Sequence, residues 1–330
     1  MRPASDRRED GVLRTRELSR SAAAAPALLR RWLPSPALRL SLWLHAAAAT
    51  VAVGAGLHAA TSGELTPATT TILALAAAAV VLDHLMLILA GLCPRCSLLG
   101  PNITRLPETA RRRGLVAITL DDGPEPQVTP LVLDMLREAG ATASFFLIGR
   151  KAEQHPDLVA RMIAEGHSVE NHSWAHSHSF AFSGPGRFRA EIGRAQESLA
   201  RLAGEAPQFF RAPAGMRNPL LEPVLASLGL PLTSWTRRGF DAVRRDPAEV
   251  SKRLLGHDGE RLAAGDILLL HDGHAAVAPD GRPVVLSVLP QVLAACRRRG
   301  LKPASLKEAF APAGSAGAPP INPPRPTSVP

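Results

Sequence analysis

The stretch Leu115-Val-Ala-Ile-Thr-Leu-Asp-Asp-Gly-Pro124 decides how most of this chain is interpreted. The apolar run up to Leu120 is typical of a buried strand, and Gly-Pro predicts that the strand ends there. Consecutive strand residues point to opposite faces, but at a strand end followed by Gly-Pro both Asp121 and Asp122 can turn into one mouth. Alone, the pair also fits a solvated turn. Near other functional groups, one acid could coordinate a cation while the other acts as a base.

Short apolar strands and amphipathic helices alternate from residue 114 onward. Repeated βα units predict a parallel sheet or barrel, whose functional residues gather at the carboxyl ends of the strands. We expect strands at 115–120, 143–148, 168–170, 209–210, 232–235 and 267–270, and helices at 129–139, 155–165, 187–203, 220–228, 247–255 and 285–298.

Two histidines follow the third expected strand. His172 and His176 are separated by Ser-Trp-Ala. On a helical turn this spacing places both imidazoles on one face, where they can reach one metal ion at about 2.0–2.1 Å. An isolated pair of this spacing is more often incidental. With one of the two upstream aspartates it would complete a His, His, Asp ligand set with positions left for water, so we predict a divalent metal centre.

Three further segments end apolar strands in a polar side chain. They end in Arg211, in Asp241 and in His271, and the last is followed directly by Asp272. Each could be a simple charge at a strand end. Five such segments in one domain, all at expected strand ends, favour a shared site.

The N-terminal region has a different composition. Residues 1–39 contain nine arginines against four acids, and residues 40–60 contain no Asp, Glu, Lys or Arg. A helix of this length, rising about 1.5 Å per residue, crosses a hydrocarbon core of about 30 Å. A second apolar run at 71–92 carries Asp83 and His84 near its middle. We predict a transmembrane hairpin in which Asp83 faces the other helix or a partner, since a charge inside a bilayer is costly. Alternatively, the second segment packs at the interface or against the protein.

Basic residues flank the hairpin on one side. The turn after residue 60 has no Lys or Arg, whereas Arg95, Arg105 and 111–113 follow the second helix. The positive-inside rule then places the following domain on the cytoplasmic side of a bacterial inner membrane. If the second segment does not span, the domain lies on the opposite side. The predicted divisions are a largely disordered basic arm at 1–39, the hairpin at 40–97 (spans 40–60 and 71–92), the catalytic domain at 98–311 and a disordered Pro-rich tail at 312–330.

In order, TLDDGP, HSWAH, RAPAG, the stretch from Trp235 to Asp241, and LLLHDG resemble the five motifs of the polysaccharide deacetylase (NodB-like) carbohydrate esterase family. The resemblance covers roughly residues 114 to 308, and its first, second and fifth motifs are specific. It implies an α/β fold, a distorted (β/α) barrel with fewer than eight units. It also implies a hydrolase that removes an N-acetyl or related acyl group from an amino sugar of a polysaccharide or lipid-linked glycan.

The resemblance further implies roles around the metal. Asp121 matches the family's catalytic base and Asp122 its metal-binding aspartate, while His172 and His176 match the histidine ligands. Arg211 matches the arginine that holds the base in place. The ion, commonly Zn²⁺ in this family, binds the attacking water and polarises the carbonyl group.

Other motif positions match the opposite side of the family's site. Asp241 matches the acid that orients the catalytic histidine, and His271 matches that histidine, which protonates the departing amine. The main-chain N–H at Ala214 matches the oxyanion donor. Leu269 matches a residue that lines the acetyl-methyl pocket.

Three residues depart from the family pattern. Leu120 replaces the usual Phe, with little chemical consequence. Ala214 replaces the usual Tyr, and Ala242 the usual Trp. Both alanines remove a large surface from the cleft, so we hypothesise a bulky or lipid-linked sugar as substrate.

Three other interpretations each fit part of the sequence. A non-haem iron oxygenase also uses two His and one carboxylate, but it leaves Asp121, Arg211 and His271 without roles. A catalytically inactive, membrane-anchored carbohydrate-binding protein of the same fold leaves the predicted base and acid unused. Nucleic-acid binding by the basic arm has no aromatic interleaving to support it, so no nucleic-acid partner is expected.

Overall fold

A computed structural model describes residues 35–312. The predicted disordered arm and tail lie outside these residues, apart from 35–39 of the arm, where a helix begins at Pro36, and Pro312 of the tail. The α-helices are α1 (Pro36–Ser62), α2 (Pro67–Leu92), α3 (Glu108–Arg112), α4 (Thr129–Glu138), α5 (Gly149–Gln154), α6 (Pro156–Ala164), α7 (Pro185–Ala203), α8 (Leu221–Leu228), α9 (Pro247–Leu255), α10 (Val284–Arg298) and α11 (Leu306–Phe310). The strands are β1 (Leu115–Asp121), β2 (Ser144–Leu147), β3 (Ser168–Asn171), β4 (Arg237–Arg238), β5 (Ile267–His271) and β6 (Lys302–Ala304).

Helices α1 and α2 form a hairpin, and local signals set their ends. The side chains of Ser35 and Thr66 cap the two N-termini by accepting backbone N–H bonds at 3.2 Å. A proline follows each cap, where its missing N–H costs nothing. Gly63, with φ of 79°, ends α1 in the left-handed conformation. Both helices begin four residues before the predicted spans and are long and apolar enough to cross a membrane.

The barrel is a parallel sheet in the order β3-β2-β1-β5-β4, with β6 beside the start of β1. Isolated bridges from Asn171 to Phe210 and from Phe210 to Leu232 extend the curve beyond β3. The predicted α/β fold, a distorted barrel, is thereby confirmed. The strands predicted at 209–210 and 232–235 are wrong in extent, because only single bridges form there. Pro213 and Pro231 flank these bridges and have no N–H to extend a ladder.

Strand β1 is buried along its whole length, which explains why Leu115 to Leu120 are apolar except for Thr119. Residues such as Val116 and Ile118 belong to the core between the sheet and the helices. Leu115 and Ala117 belong to the separate core inside the barrel. Because side chains alternate along a strand, Asp121 continues the inward-facing series of Leu115 and Ala117 at the mouth of the barrel.

Several short elements were not predicted. They are α3, α5, β4, β6 and α11, and the helix expected at 155–165 is α6, preceded by the separate α5. These elements span only two to six residues, too few to display a hydrophobic period. They close the barrel without altering its topology.

Candidate metal and acid–base site

A buried arginine holds Asp121 at the mouth of the barrel. The Arg211 side chain is 1% exposed, and its Nη1 donates to Asp121 Oδ1 at 2.6 Å and to Thr119 Oγ1 at 2.8 Å. Its Nε and Nη2 donate to the carbonyl oxygens of Thr233 and Ser234 at 3.1 and 3.0 Å. The planar guanidinium therefore joins β1 to the segment that precedes β4 and forms an ion pair with Asp121.

Asp122, His172 and His176 converge beside this carboxylate. The Nε2 atoms of His172 and His176 lie 3.3 and 3.1 Å from Asp122 Oδ1, and one ligand atom from each residue lies within 4.8 Å of the others. Among the described residues, none donates a hydrogen bond to the buried Asp122 Oδ1. An unsatisfied carboxylate oxygen between two imidazole nitrogens fits a bound cation.

The orientation of His172 also fits a metal ligand. Its Nδ1 lies 2.8 Å from the carbonyl oxygen of Arg211. A carbonyl oxygen can only accept, so Nδ1 carries a proton, and Nε2 is the nitrogen that faces Asp122. A second hydrogen bond of this kind commonly fixes the ring of a metal-ligating histidine.

The electrostatics place two of these residues in the protonation state that metal binding needs. Burial acts to raise the pKa of Asp122, but its interactions with His172, His176 and His271, that with His172 the largest, hold this pKa well below its usual range. Burial, followed by the charge of His172, lowers the pKa of His176 to about 4 against the opposing aspartates. At neutral pH Asp122 is therefore ionised and His176 is neutral.

The two histidines do not lie on a helical turn, so that part of the sequence prediction is wrong. Strand β3 ends at Asn171, and the backbone then curls through Ser173 and His176, which have φ of 65° and 50°. Asn171 Oδ1 accepts from the N–H of Ser173 at 3.0 Å, and Ser173 Oγ accepts from the N–H of His176 at 3.1 Å. These side-chain acceptors replace the carbonyl acceptors of a helix and still bring both imidazoles to Asp122.

His271 ends β5 in register with Asp121, and a buried carboxylate holds it at two points. Asp241 Oδ1 lies 2.9 Å from His271 Nδ1, and Asp241 Oδ2 accepts from the backbone N–H of His271 at 2.7 Å. Burial acts to lower the pKa of His271, but the charge and hydrogen bond of Asp241, with the charges of Asp121 and Asp122, raise it to about 9. The imidazole is therefore protonated at neutral pH, with Nε2 left free of Asp241.

The two remaining predicted positions lie on different elements. Ala214 is exposed in a short 3₁₀ turn, Pro213–Gly215, where its own φ is 55°. Leu269 is 3% exposed in β5, paired in register with Thr119 and two residues before His271. It belongs to the core inside the barrel, below the mouth.

The sequence analysis did not predict the residues that hydrogen-bond to the backbone and side chains next to the site. Lys151 Nζ donates to the carbonyl oxygens of Asp122 and Gly273 at 2.9 and 3.1 Å, which ties the ends of β1 and β5 together. Asp272 accepts from Thr129 Oγ1 at 2.5 Å, and burial raises its pKa to about 7. A search for polar residues just after every predicted strand would have found Lys151, which follows β2.

Three comparisons place the chain among known proteins. A family model described as polysaccharide deacetylase matches residues 108–233. The chain is 34% identical over 194 residues to a chitooligosaccharide deacetylase of Azorhizobium caulinodans, which covers 56% of this chain and 89% of that protein. It is 33% identical over 180 residues to the peptidoglycan-N-acetylglucosamine deacetylase PgdA of Listeria monocytogenes, covering 54% of this chain but only 37% of the relative.

A solved structure agrees with the fold. The family 4 acetyl xylan esterase from Clostridium thermocellum, in complex with a cobalt ion, superposes with a TM-score of 0.52 and 27% identity, covering 59% of this chain and 90% of that one. The sequence matches and the barrel point to the same relatives, and the chain belongs to the polysaccharide deacetylase family.

Proposed function

We propose that this protein is a metal-dependent hydrolase that removes an N-acetyl group from an amino sugar of a polysaccharide or lipid-linked glycan. The observation that carries the proposal is the convergence of Asp122, His172 and His176 around an unsatisfied carboxylate oxygen. A separately held carboxylate, Asp121, and a histidine with a raised pKa, His271, stand beside it. The named activities of the relatives, on peptidoglycan N-acetylglucosamine and chitooligosaccharides, support the same reaction class.

In this mechanism Asp121 acts as the general base. When bound by Asp122, His172 and His176, a divalent ion, which we propose to be Zn²⁺, would polarise the amide carbonyl group and acidify water. Asp121 takes a proton from the attacking water while Arg211 holds its other oxygen and prevents the carboxylate from rotating away. The cobalt ion in the related esterase structure supports a divalent cation in this family.

His271 acts as the general acid on the other side. As the C–N bond breaks, its Nε2 gives a proton to the departing sugar nitrogen. Asp241 accepts the hydrogen bond from Nδ1–H, which stabilises the imidazolium before the transfer. The main-chain N–H of Ala214 is proposed to stabilise the oxyanion, and Leu269 to line the space for the acetyl methyl group. The products are a free amine and acetate.

The end of α2 packs against the loop that carries Ala214, and this supports a substrate close to a membrane. The N–H of Arg217 donates to the carbonyl oxygen of Gly91 at 3.1 Å, and Ser234 Oγ donates to that of Pro94 at 2.6 Å. A Cβ at Gly215 would lie 2.8 Å from the Pro94 side chain, so the loop and the helix end approach closely. We therefore propose that α1 and α2 anchor the domain in a bacterial inner membrane, with the cleft beside it.

The shape of the cleft supports a bulky or lipid-linked sugar. Ala214 is exposed, and Ala242 is half-buried beside Asp241. Neither offers the aromatic surface on which an extended sugar chain stacks. A glycan presented from the membrane needs no such surface, because its lipid keeps it at the membrane.

The catalytic domain is proposed to face the cytoplasm, and native cysteines allow a test. Cys93, directly after α2, is exposed. A membrane-impermeant maleimide should label Cys93 only after lysis of the cells, whereas Glu64→Cys in the hairpin turn should be labelled in intact spheroplasts. Labelling of Cys93 in intact spheroplasts would place the domain outside.

The activity is tested with the full-length protein in detergent. Acetate release is measured on lipid-linked acetamido sugars, chitin oligomers and peptidoglycan fragments, before and after chelation and after Zn²⁺ is restored. We expect turnover on lipid-linked sugars that is lost on chelation and recovered with zinc, and none in Asp121→Ala. Turnover that survives chelation overturns the metal mechanism. Turnover on chitin oligomers without any on lipid-linked sugars overturns the substrate proposal, and carbohydrate binding without turnover would identify an inactive relative.

A further inference from the structure

A second cluster of two histidines and one aspartate lies between α1 and α2. One ring nitrogen from His45 and one from His84 lie within 4.8 Å of each other and of a carboxylate oxygen of Asp83. His45 belongs to α1, and the other two residues belong to α2. No motif of the catalytic domain includes these residues, so the cluster is independent of the site described above.

Asp83 is buried in surroundings that disfavour a lone charge. It is 6% exposed, and its Oδ2 accepts from Ser41 Oγ at 2.6 Å. The only ion-pair partner found for it within residues 35–312 is His45, whose Nδ1 lies 3.9 Å away. One hydroxyl donor offsets little of the cost of burying a carboxylate, so a further cation is favoured.

Both histidines donate from Nδ1 to a carbonyl oxygen of their own helix. The Nδ1 of His45 lies 2.7 Å from the carbonyl oxygen of Ser41, and the Nδ1 of His84 lies 2.8 Å from that of Val80. Since a carbonyl oxygen only accepts, each Nδ1 carries a proton, and Nε2 is the ring nitrogen through which either histidine could bind a metal ion. The catalytic His172 has the same arrangement, with a backbone carbonyl on Nδ1.

We propose that His45, Asp83 and His84 bind one divalent transition-metal ion that joins α1 to α2. Two imidazoles and one carboxylate suit Zn²⁺ or Co²⁺, whereas Mg²⁺ and Ca²⁺ prefer oxygen ligands. The ion supplies the positive charge that Asp83 lacks. It also adds a cross-link between two helices whose facing surfaces are mostly alanine and small aliphatic residues.

The test counts metal ions in the full-length chain in detergent. Protein is loaded with excess Zn²⁺, desalted and analysed by plasma mass spectrometry. We expect two zinc ions per wild-type chain, one in His84→Ala, one in Asp122→Asn, and none in the double variant. His58→Ala is the matched control, since His58 is an exposed histidine on α1 outside the cluster, and it should retain two.

His84 is exposed, so its replacement should leave the helices folded, which circular dichroism checks. Asp83→Asn is the second variant and should also bind one ion. With Co²⁺ in place of zinc, His84→Ala should lose part of the visible ligand-field absorption, and the absorption of the catalytic site should remain. Two zinc ions retained in both His84→Ala and Asp83→Asn would overturn the proposal. So would a single zinc ion in the wild type that Asp122→Asn removes.

Discussion

The two His–Asp clusters of this protein share a donor set but differ in what surrounds it. Beside Asp122 lie an arginine-bound carboxylate and an aspartate-bound histidine, to which we assign the proton transfers. Around Asp83, the one hydrogen-bond donor found outside the cluster within residues 35–312 is the hydroxyl of Ser41. The same three ligands therefore suit chemistry in one place and structural cross-linking in the other. The difference lies in the residues beside the ligands.

The backbones of the two clusters differ as well. Asp122 and His176 have φ of 71° and 50°, conformations that cost a non-glycine residue of order 1–3 kcal/mol. His45 and Asp83 lie within regular helices. Strain is concentrated where the ligands must share a mouth with a base and an acid, and where the surrounding barrel is rigid enough to maintain it.

Replacing the proposed base Asp121 should leave the cluster of Asp122, His172 and His176 with its metal ligands but without a proton acceptor. In that respect it would resemble the cluster of His45, Asp83 and His84. For Asp121→Asn we expect kcat to fall by about 10³-fold, the scale of general-base catalysis, with both zinc ions retained. The amide oxygen can still accept from Arg211, so the fold should survive. Acetate release and zinc content are measured on the same preparation. Loss of one zinc ion with the activity would show that Asp121 is a ligand.

Removing the partner of the acid should change the pH dependence. The pKa of His271 is about 9, so its acid form is present below that pH and activity should fall as the pH rises through about 9. In Asp241→Asn the charge that raises this pKa is lost while burial, which lowers it, remains. We expect kcat to fall by about 10²-fold and the alkaline limb to move to lower pH. A limb that stays at pH 9 would mean that another group donates the proton.

Introducing an aromatic side chain at position 214 should change the choice of substrate more than the rate of the chemical step. Ala214→Tyr keeps the main-chain N–H and adds a large surface to an exposed position. We expect kcat/KM for chitin oligomers to rise by about threefold to tenfold, the effect of one aromatic contact, while that for lipid-linked sugars falls. Ala242→Trp is the companion variant on the other wall. Equal changes for both substrates would contradict a role for these alanines in selectivity.

The smallest effect on catalysis is expected from a change in the cluster of His45, Asp83 and His84 between α1 and α2. His84→Ala should leave kcat unchanged, because no catalytic group contacts His84. If zinc is present at about 100 times its dissociation constant, losing it should cost about 2.7 kcal/mol of stability, seen as a lower unfolding temperature of the hairpin. The comparison is made with and without zinc, and His58→Ala serves as the control. A zinc-dependent shift of equal size in both variants would contradict the proposed site.

Local patterns predicted much of the fold. The helix Pro247–Leu255 has the predicted bounds, and Thr129–Glu138 and Leu221–Leu228 differ from theirs by one residue. The hydrophobic periodicity, capping residues and terminating glycines of these helices act within a few residues of the chain, so they can be recognised without a structure. The order of acids, histidines and arginine along the strand ends likewise predicted which residues to seek at the barrel mouth.

Other features depended on contacts between distant residues. The turn that carries His172 and His176 follows from Asn171 and Ser173 acting as acceptors, where spacing alone suggested a helix. Lys151 acquires its role only when β1 and β5 become neighbours. Such contacts form only when the barrel closes, and a local hydrophobic pattern does not predict them.

The sequence by itself determined a parallel βα domain, two apolar N-terminal helices and the identities of the residues that gather at Asp121 and Asp122. Hydrophobic pattern and motif order are sufficient for these, since they are properties of short segments. Only the tertiary structure decided that Asp83 meets Ser41, 42 positions away along the chain, and lies beside His45 and His84. Helix rotation and packing set which faces meet, and a nearly uniform apolar helix leaves that choice to the few polar groups it carries.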